Sequence, residues 1–273
     1  MPSIAMPSPV SLHRTLRCWL ASACLPLISS LAWADLAPPP KDGLWRGIAG
    51  AALSATSGNS ETSSALLNAD GARASDHDKI SLGANFNQAR GTNDAGERTT
   101  TADKASAFGQ YERDFAPRWF GFGRLSFDRD ALIDLSSRTT LSGGVGFRVI
   151  DDATNSFTLL GGIGHTTERY SSTQTISNET DTRFHRLSAF LAEESAHKLT
   201  ESTSFKQRLE SNPALDGSGA VLWKFNANLD VAINSSLSLS VGVIDTYNTE
   251  PPDGAVKNDV TLFTGINVKF GGP

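Results

Sequence analysis

The stretch that decides the fold is Trp223-Lys224-Phe225-Asn226-Ala227-Asn228-Leu229-Asp230-Val231. Its odd-numbered positions are apolar and its even-numbered positions are polar or charged. Successive side chains of a β-strand point to opposite faces, so a period of two defines a strand with one apolar and one hydrated face.

The same alternation recurs along the chain. Ile80, Leu82, Ala84 and Phe86 alternate with Ser81, Gly83, Asn85 and Asn87, and Leu141, Val145, Phe147 and Val149 with Ser142, Gly144, Gly146 and Arg148. Leu237, Leu239, Val241 and Val243 alternate with Ser236, Ser238 and Ser240. About twelve such segments begin near residues 44, 62, 79, 101, 118, 138, 156, 181, 199, 218, 236 and 258. Those near 62, 181 and 199 do not reveal their faces. Helical periodicity is nowhere convincing.

The connections alternate in length. Short ones are expected at 75–78, 115–118, 150–155, 193–197 and 233–236, and longer ones rich in Asn, Asp, Gly, Pro and Ser at 91–100, 128–137, 171–181, 211–219 and 248–258. Short turns on one rim and long loops on the other, joined by dyad-patterned strands, describe an antiparallel transmembrane β-barrel with periplasmic turns and extracellular loops. Ser57-Gly58-Asn59 is the exception, a tight hairpin tip on the long-loop side, where residues tolerant of positive φ are needed. Trp45, Tyr111 and Trp119 are expected near the periplasmic strand ends, and Tyr170, Trp223 and Tyr247 near the outer ends, as interfacial belts.

The first 34 residues read as a cleaved secretory signal. His13, Arg14 and Arg17 precede a largely apolar run from Cys18 to Leu31, and Ala32-Trp33-Ala34 supplies the cleavage site. The rival reading makes Cys24 a lipidated residue, although the apolar run continues past it. A short Pro-rich lead (35–43) then precedes the barrel domain (44–273). Cleavage removes both cysteines and leaves 22 basic against 29 acidic residues, a net charge of −7. Stability then comes from architecture and not from cross-links. An acidic chain lacks the basic face that nucleic-acid binding needs. No stretch approaches the length of an apolar membrane helix. A barrel still fits, because it hides its apolar surface in alternate positions.

On the inward parity fall Arg46, Lys104, Glu112, Arg124, Arg148, Lys206, Arg208, Lys224, Asp230 and Lys269. Of these, Arg46, Lys104, Arg124, Arg148, Lys224, Asp230 and Lys269 are the candidate lumen-lining residues. Charges of both signs either pair across a narrow lumen and plug it or line a narrow hydrated path. The segment Phe263-Thr264-Gly265-Ile266-Asn267-Val268-Lys269-Phe270 is similar to the terminal strand signal read by outer-membrane insertion machinery, with Gly265, Val268 and Phe270 at its characteristic positions.

The glycines of 143–146 and 161–164 lie within strands and precede no helix, so no phosphate loop is expected. His77, His165, His185 and His197 are scattered, and Asp128, Asp130 and Asp134 read as a rim paired with Arg129 and Arg138, with a divalent cation as the rival. No cofactor and no metal are expected. No Gly-x-Ser-x-Gly elbow occurs. An enzyme is not the expectation; a barrel hydrolase would rest on His165 beside a Ser or Asp.

Three pieces, 45–62, 120–138 and 141–150, resemble the YdiY-like, salt-induced outer-membrane proteins, a family built on a domain of unknown function. The first is the most specific, with Trp45 opening a Gly/Ala-rich strand that ends in Ser-Gly-Asn. The resemblance implies an outer-membrane barrel with a link to salt or osmotic adaptation, and no known activity. The expected partners are outer-membrane lipid and lipopolysaccharide, with the barrel-assembly machinery during insertion. The expected mechanism is a narrow passive pore for ions or small solutes. The alternatives are a plugged structural or adhesive barrel and, behind it, a hydrolase.

Overall fold

The computed structural model describes residues 40–56, 62–92 and 96–271. The signal segment and the Ser57-Gly58-Asn59 tip lie outside them. Twelve strands follow in order: β1 (Trp45–Thr56), β2 (Thr62–Ala74), β3 (Asp78–Thr92), β4 (Arg98–Ala116), β5 (Trp119–Asp130), β6 (Leu135–Asp151), β7 (Asn155–Ile176), β8 (Glu179–Lys198), β9 (Thr203–Pro213), β10 (Val221–Ala232), β11 (Leu237–Asn248) and β12 (Asn258–Gly271). Each pairs antiparallel with its sequence neighbours, and β1 pairs with β12, so the sheet closes into a barrel. Closure removes every sheet edge.

The alternation seen in the sequence becomes inside and outside. Leu53, Leu67, Leu82, Leu125, Leu141, Ile163, Val241 and Ile266 are exposed on the outer surface. Their sequence neighbours Asn68, Ser81, Ser142, Ser240 and Asn267 are buried in the lumen. An exposed apolar band backed by a polar interior is the inverse of a soluble barrel and the pattern of a membrane-spanning one. Trp223 lies directly opposite Tyr247 on the outer face near the loop end, and Trp119 packs on Phe147 at the turn end, ring centroids 4.7 Å apart.

Close strand approach is built in with glycine. A Cβ on Gly144 would lie 2.1 Å from the Gly161 carbonyl oxygen across the β6–β7 ladder, so this part of the wall admits no side chain inward.

Four expectations are corrected. The loop expected at 171–181 is strand: β7 and β8 run on past the barrel as a hairpin whose tip is Ser177-Asn178, at φ 51° and 67°. Two positive φ values are what a two-residue hairpin turn of matching twist requires. Ile176, Tyr170, Phe184 and Leu135 form an apolar cluster that holds this extension. Tyr170 is accordingly buried and inward, not an exposed belt residue. The stretch 128–137 is mostly strand around a single 3-10 turn, Ala131–Ile133, capped by Asp130, whose carboxylate accepts a hydrogen bond from the Leu132 amide at 3.1 Å. Residues 193–197 belong to β8, and the turn falls at 199–202.

Candidate functional site: the lumen

At the turn end, Glu112 of β4 accepts from Lys79 Nζ at 3.2 Å and from Gln110 at 3.0 Å, and Arg148 of β6 pairs with Asp114 at 2.9 Å. Register places all of these on inward positions of β3, β4 and β6. Lys79, Glu112, Asp114 and Arg148 line a cavity of about 100 Å³ together with Asp78 and Glu194. Below it, Arg46 of β1 pairs with Asp42 of the lead at 2.5 Å. That guanidinium and the Leu44 amide hold the Asp42 carboxyl well below the usual carboxylate range.

The middle of the lumen is lined by an apolar and an ionic cluster that adjoin each other. The apolar one comprises Phe120, Phe122, Leu160, Phe190 and Ala192, in which the Phe122 and Phe190 rings stand 5.4 Å apart. Small residues on the next strand make room for these rings: a Cβ on Gly146 would sit 2.1 Å from the Phe120 ring. The ionic cluster runs over β5, β8, β9 and β10. Arg208 of β9 bridges Glu194 and Glu210, the latter at 3.0 Å. Arg124 of β5 donates to Gln110 at 3.1 Å and lies over the Phe108 ring at 4.1 Å. Asp230 of β10 accepts from Ser240 and Asn228, and Asn267 of β12 donates to Ser240 at 2.7 Å.

Toward the loop end a second cavity, about 240 Å³, opens above this waist. Lys224 Nζ reaches across to Asp128 Oδ2 at 3.1 Å, and Lys104 pairs with Asp130 at 3.2 Å and with Asp259. The connection 249–257 folds over it and contributes Pro251, Pro252, Ala255 and Val256 to its lining. This roof is fastened to the β7–β8 hairpin: the Asp253 amide donates to Gln174 Oε1 at 3.1 Å, and Asp253 Oδ2 accepts from the Thr175 amide at 3.2 Å. In the neighbouring loop, Asp216 accepts from the Ser218 hydroxyl at 2.5 Å and its amide at 2.9 Å, which lowers the carboxyl below its ordinary value.

Arg46, Lys104, Arg124, Arg148, Lys224, Asp230 and Lys269 therefore all lie on inward positions, distributed over both ends and the waist. Of the terminal segment, Gly265 faces inward, and Val268 and Phe270 are exposed outside. Asp128, Asp130 and Asp134 separate by role: the first two pair with lysines, and Asp134, at φ 57°, accepts from Ser172 at 2.5 Å. Among the described residues no cluster of His, Cys, Asp and Glu could hold a metal ion. His165 projects outward and stacks on His185, ring centroids 5.9 Å apart, so it presents nothing to the lumen.

The inward phenylalanines and the charge Asp70 are the parts of the lumen that alternation alone does not disclose, whereas Glu210 shares the parity of Lys206 and Arg208. The available signal was pairwise: Phe120 with Gly146, Phe108 with Gly83 and Phe263 with Gly242 each set a large ring against a residue without a side chain.

No curated protein matches the chain in sequence. Among solved structures it is similar to the translocator domain of the autotransporter NalP from Neisseria meningitidis, at 10% identity over 84% of this chain and 86% of that one, TM-score 0.43. It is similar to the NanC porin at 8% identity over 84% and 97%, TM-score 0.43. It also resembles an outer membrane channel from Pseudomonas putida F1, at 11% identity over 87% and 99%, TM-score 0.43. The family model described as "Protein of unknown function, DUF481" matches residues 49–270, from the first strand of the barrel to the last, and the chain belongs to that family.

Proposed function

We propose that this protein is an outer-membrane barrel that gives ions and small solutes a narrow passive path. The observation that carries the reading is the ionic cluster of the waist. Arg124, Lys206, Arg208, Glu210 and Asp230 all sit within the middle of the lumen, most of them buried. Burying charges costs more than filling the same volume with apolar side chains. A barrel whose lumen only needed filling could continue the Phe120–Phe190 cluster around the whole circumference. An ionic cluster keeps water and counter-ions within reach of a route between the two cavities. Their charges then set selectivity.

This reading places the exposed apolar band in the outer membrane, its loop end toward lipopolysaccharide, and uses the terminal strand with Gly265, Val268 and Phe270 during assembly. A salt- or osmosis-linked role is part of the same proposal. The proposal includes no enzymatic step.

The test is single-channel recording of the refolded chain in a planar bilayer, on material shown to be heat-modifiable on a gel. Discrete conductance steps, with a reversal potential moved toward cation preference by Lys224→Glu or Arg148→Glu, are expected. A silent bilayer with folded protein overturns the path and favours the filled, structural barrel that the Phe120–Phe190 cluster would serve.

A further inference from the structure

The outer wall at β6, β7 and β8 changes character over a short distance. Leu141, Ile163 and Leu187 point outward and are exposed, and Leu215, whose amide donates to the Leu187 carbonyl at 2.8 Å, prolongs their surface. The stacked His165 and His185 mark its upper boundary. Beyond them the outward positions are polar: Thr139 and Thr167, then Arg169 of β7 and Arg183 of β8. Strand residues advance ~3.3 Å each, which puts Arg183 ~13 Å along β8 from Leu187. An apolar wall that gives way to imidazoles and then to cations within that length has the profile of a membrane interface.

Arg169 and Arg183 stand directly opposite each other on the β7–β8 ladder, the last regular pair before the register shifts and the hairpin extension begins. Like charges placed so on a sheet repel. Both side chains are exposed, and neither guanidinium makes a hydrogen bond or an ion pair with any described residue. The contrast is Arg129, outward at the loop end of β5, which pairs with Asp103 at 2.9 Å. The carboxylates adjoining the two arginines are engaged elsewhere. Glu168 holds Arg138 at 2.6 Å in the lumen, Asp134 accepts from Ser172 at 2.5 Å, and Asp181 accepts from the Thr182 and Arg183 amides at 2.5 and 3.2 Å. Those two amides hold the Asp181 carboxyl below its ordinary value, and the Arg183 guanidinium contributes least to that shift.

Two planar forks held side by side and left unmatched suit a phosphate, whose several oxygens can take a bidentate pair from each. A carboxylate has two oxygens and one charge, and would leave one fork unmet. The apolar surface beneath then makes that phosphate the head of an acyl-bearing molecule.

We propose that Arg169 and Arg183 form a docking site on the outer wall for a phosphate of lipid A, the glycolipid anchor of lipopolysaccharide, with its acyl chains lying on Leu141, Ile163, Leu187 and Leu215. The proposal rests on the outer-membrane placement given above, loop end outward, and not on conduction through the lumen. An arginine pair that repels itself in water is matched once the barrel reaches that leaflet.

The test uses the refolded full barrel in detergent micelles, with bound lipid counted by native mass spectrometry. The probes are bisphosphorylated lipid A, the same lipid with both phosphates removed, phosphatidylglycerol and inorganic phosphate. Bisphosphorylated lipid A is expected to bind at least tenfold tighter than the other two lipids. Arg169→Gln combined with Arg183→Gln should abolish that preference with heat-modifiability on a gel retained. Arg90→Gln, at an exposed arginine near the loop end of β3, should leave it within twofold. Should the double variant fail to fold, Arg183→Lys, which keeps the charge and loses the fork, serves instead and should weaken binding at least threefold. Equal binding of dephosphorylated lipid A means adhesion through acyl chains alone, and equal binding of phosphatidylglycerol means a general attraction to anionic lipid. Displacement of lipid A by inorganic phosphate means a site for the free ion, and an equal loss in Arg90→Gln means a diffuse field. Each of these overturns the site, as does a double variant that binds like the parent. A conducting barrel indifferent to lipid A refutes the site alone, a silent barrel that binds it refutes the path alone, and a barrel that stays soluble without detergent refutes the membrane placement on which both rest.

Discussion

Lys224 of β10 and Asp128 of β5, 96 residues apart in sequence, meet inside the barrel with Nζ 3.1 Å from Oδ2. The pair is partly buried, its side chains 26% and 22% exposed, and it spans the loop-end cavity like a bar. Removing the ammonium strands a carboxylate in the lumen, whereas removing both partners leaves nothing uncompensated. Lys224→Met should therefore cost about 1–3 kcal/mol, and adding Asp128→Leu should recover most of the loss. Urea unfolding of the two single variants and the double variant gives the coupling directly.

Gly146 lies beneath the Phe120 ring, so a methyl group there collides with aromatic carbons. Gly146→Ala should destabilise the barrel by about 1–3 kcal/mol, the usual cost of overpacking. In the Phe120→Leu background the same substitution should cost far less. Equal penalties in the two backgrounds would show that the ring is not what excludes the methyl.

Leu125 of β5 points outward at 53% exposure, within the apolar band. Leu125→Arg should lower stability in lipid by about 2–4 kcal/mol. Leu132→Arg, on the exposed 3-10 turn at the loop end, should change it little. Folding into vesicles measures both, and similar effects at the two positions would mean that the band does not face hydrocarbon.

Much of the barrel can be read from single strands, including which side chains face the lumen, but not which of them meet there. The β10 and β12 alternations are legible because each strand carries most of its apolar side chains on one parity, with Leu222 and the inward Phe263 as exceptions. Alternation tells a residue's face but not its neighbour on the next strand. Phe120 and Gly146 look unrelated until register puts them side by side. The β7–β8 extension was illegible for a different reason. Ser, Thr and Asn between 171 and 181 suit a solvated loop as well as a solvated strand, and only the packing of Ile176 and Phe184 on Leu135 settles it. Tyr170 follows from the same cause, since a strand that overshoots the band carries its aromatic residue past the interface and over the mouth.

At the turn end, the Leu44 amide donates to Asp42 Oδ1 at 3.0 Å and Arg46 pairs with the same carboxylate. The folded carboxyl titrates below its unfolded value of about 3.9. The contact is thus fully present above pH ~4 and is lost as pH falls below that value through the folded pKa. The protection of the Leu44 amide, its exchange rate relative to the intrinsic rate at each pH, should hold down to that window and then fall. In Asp42→Asn the charge is gone, and the acid-induced loss of protection should vanish.

Among the described residues, the ladder between β1 and β12 runs for six residue pairs, from Arg46–Gly271 to Ala51–Ile266, against twelve between β1 and β2. A closed ring carries hoop tension through all its joints equally, so it yields at the joint with the fewest rungs. The first and last strands of the barrel meet at that joint, and a load that dilates the ring would part the wall there while the neighbouring strands stay zipped. The rungs between the first and last strands are thus the first to give way, which makes this wall a cylinder with a seam.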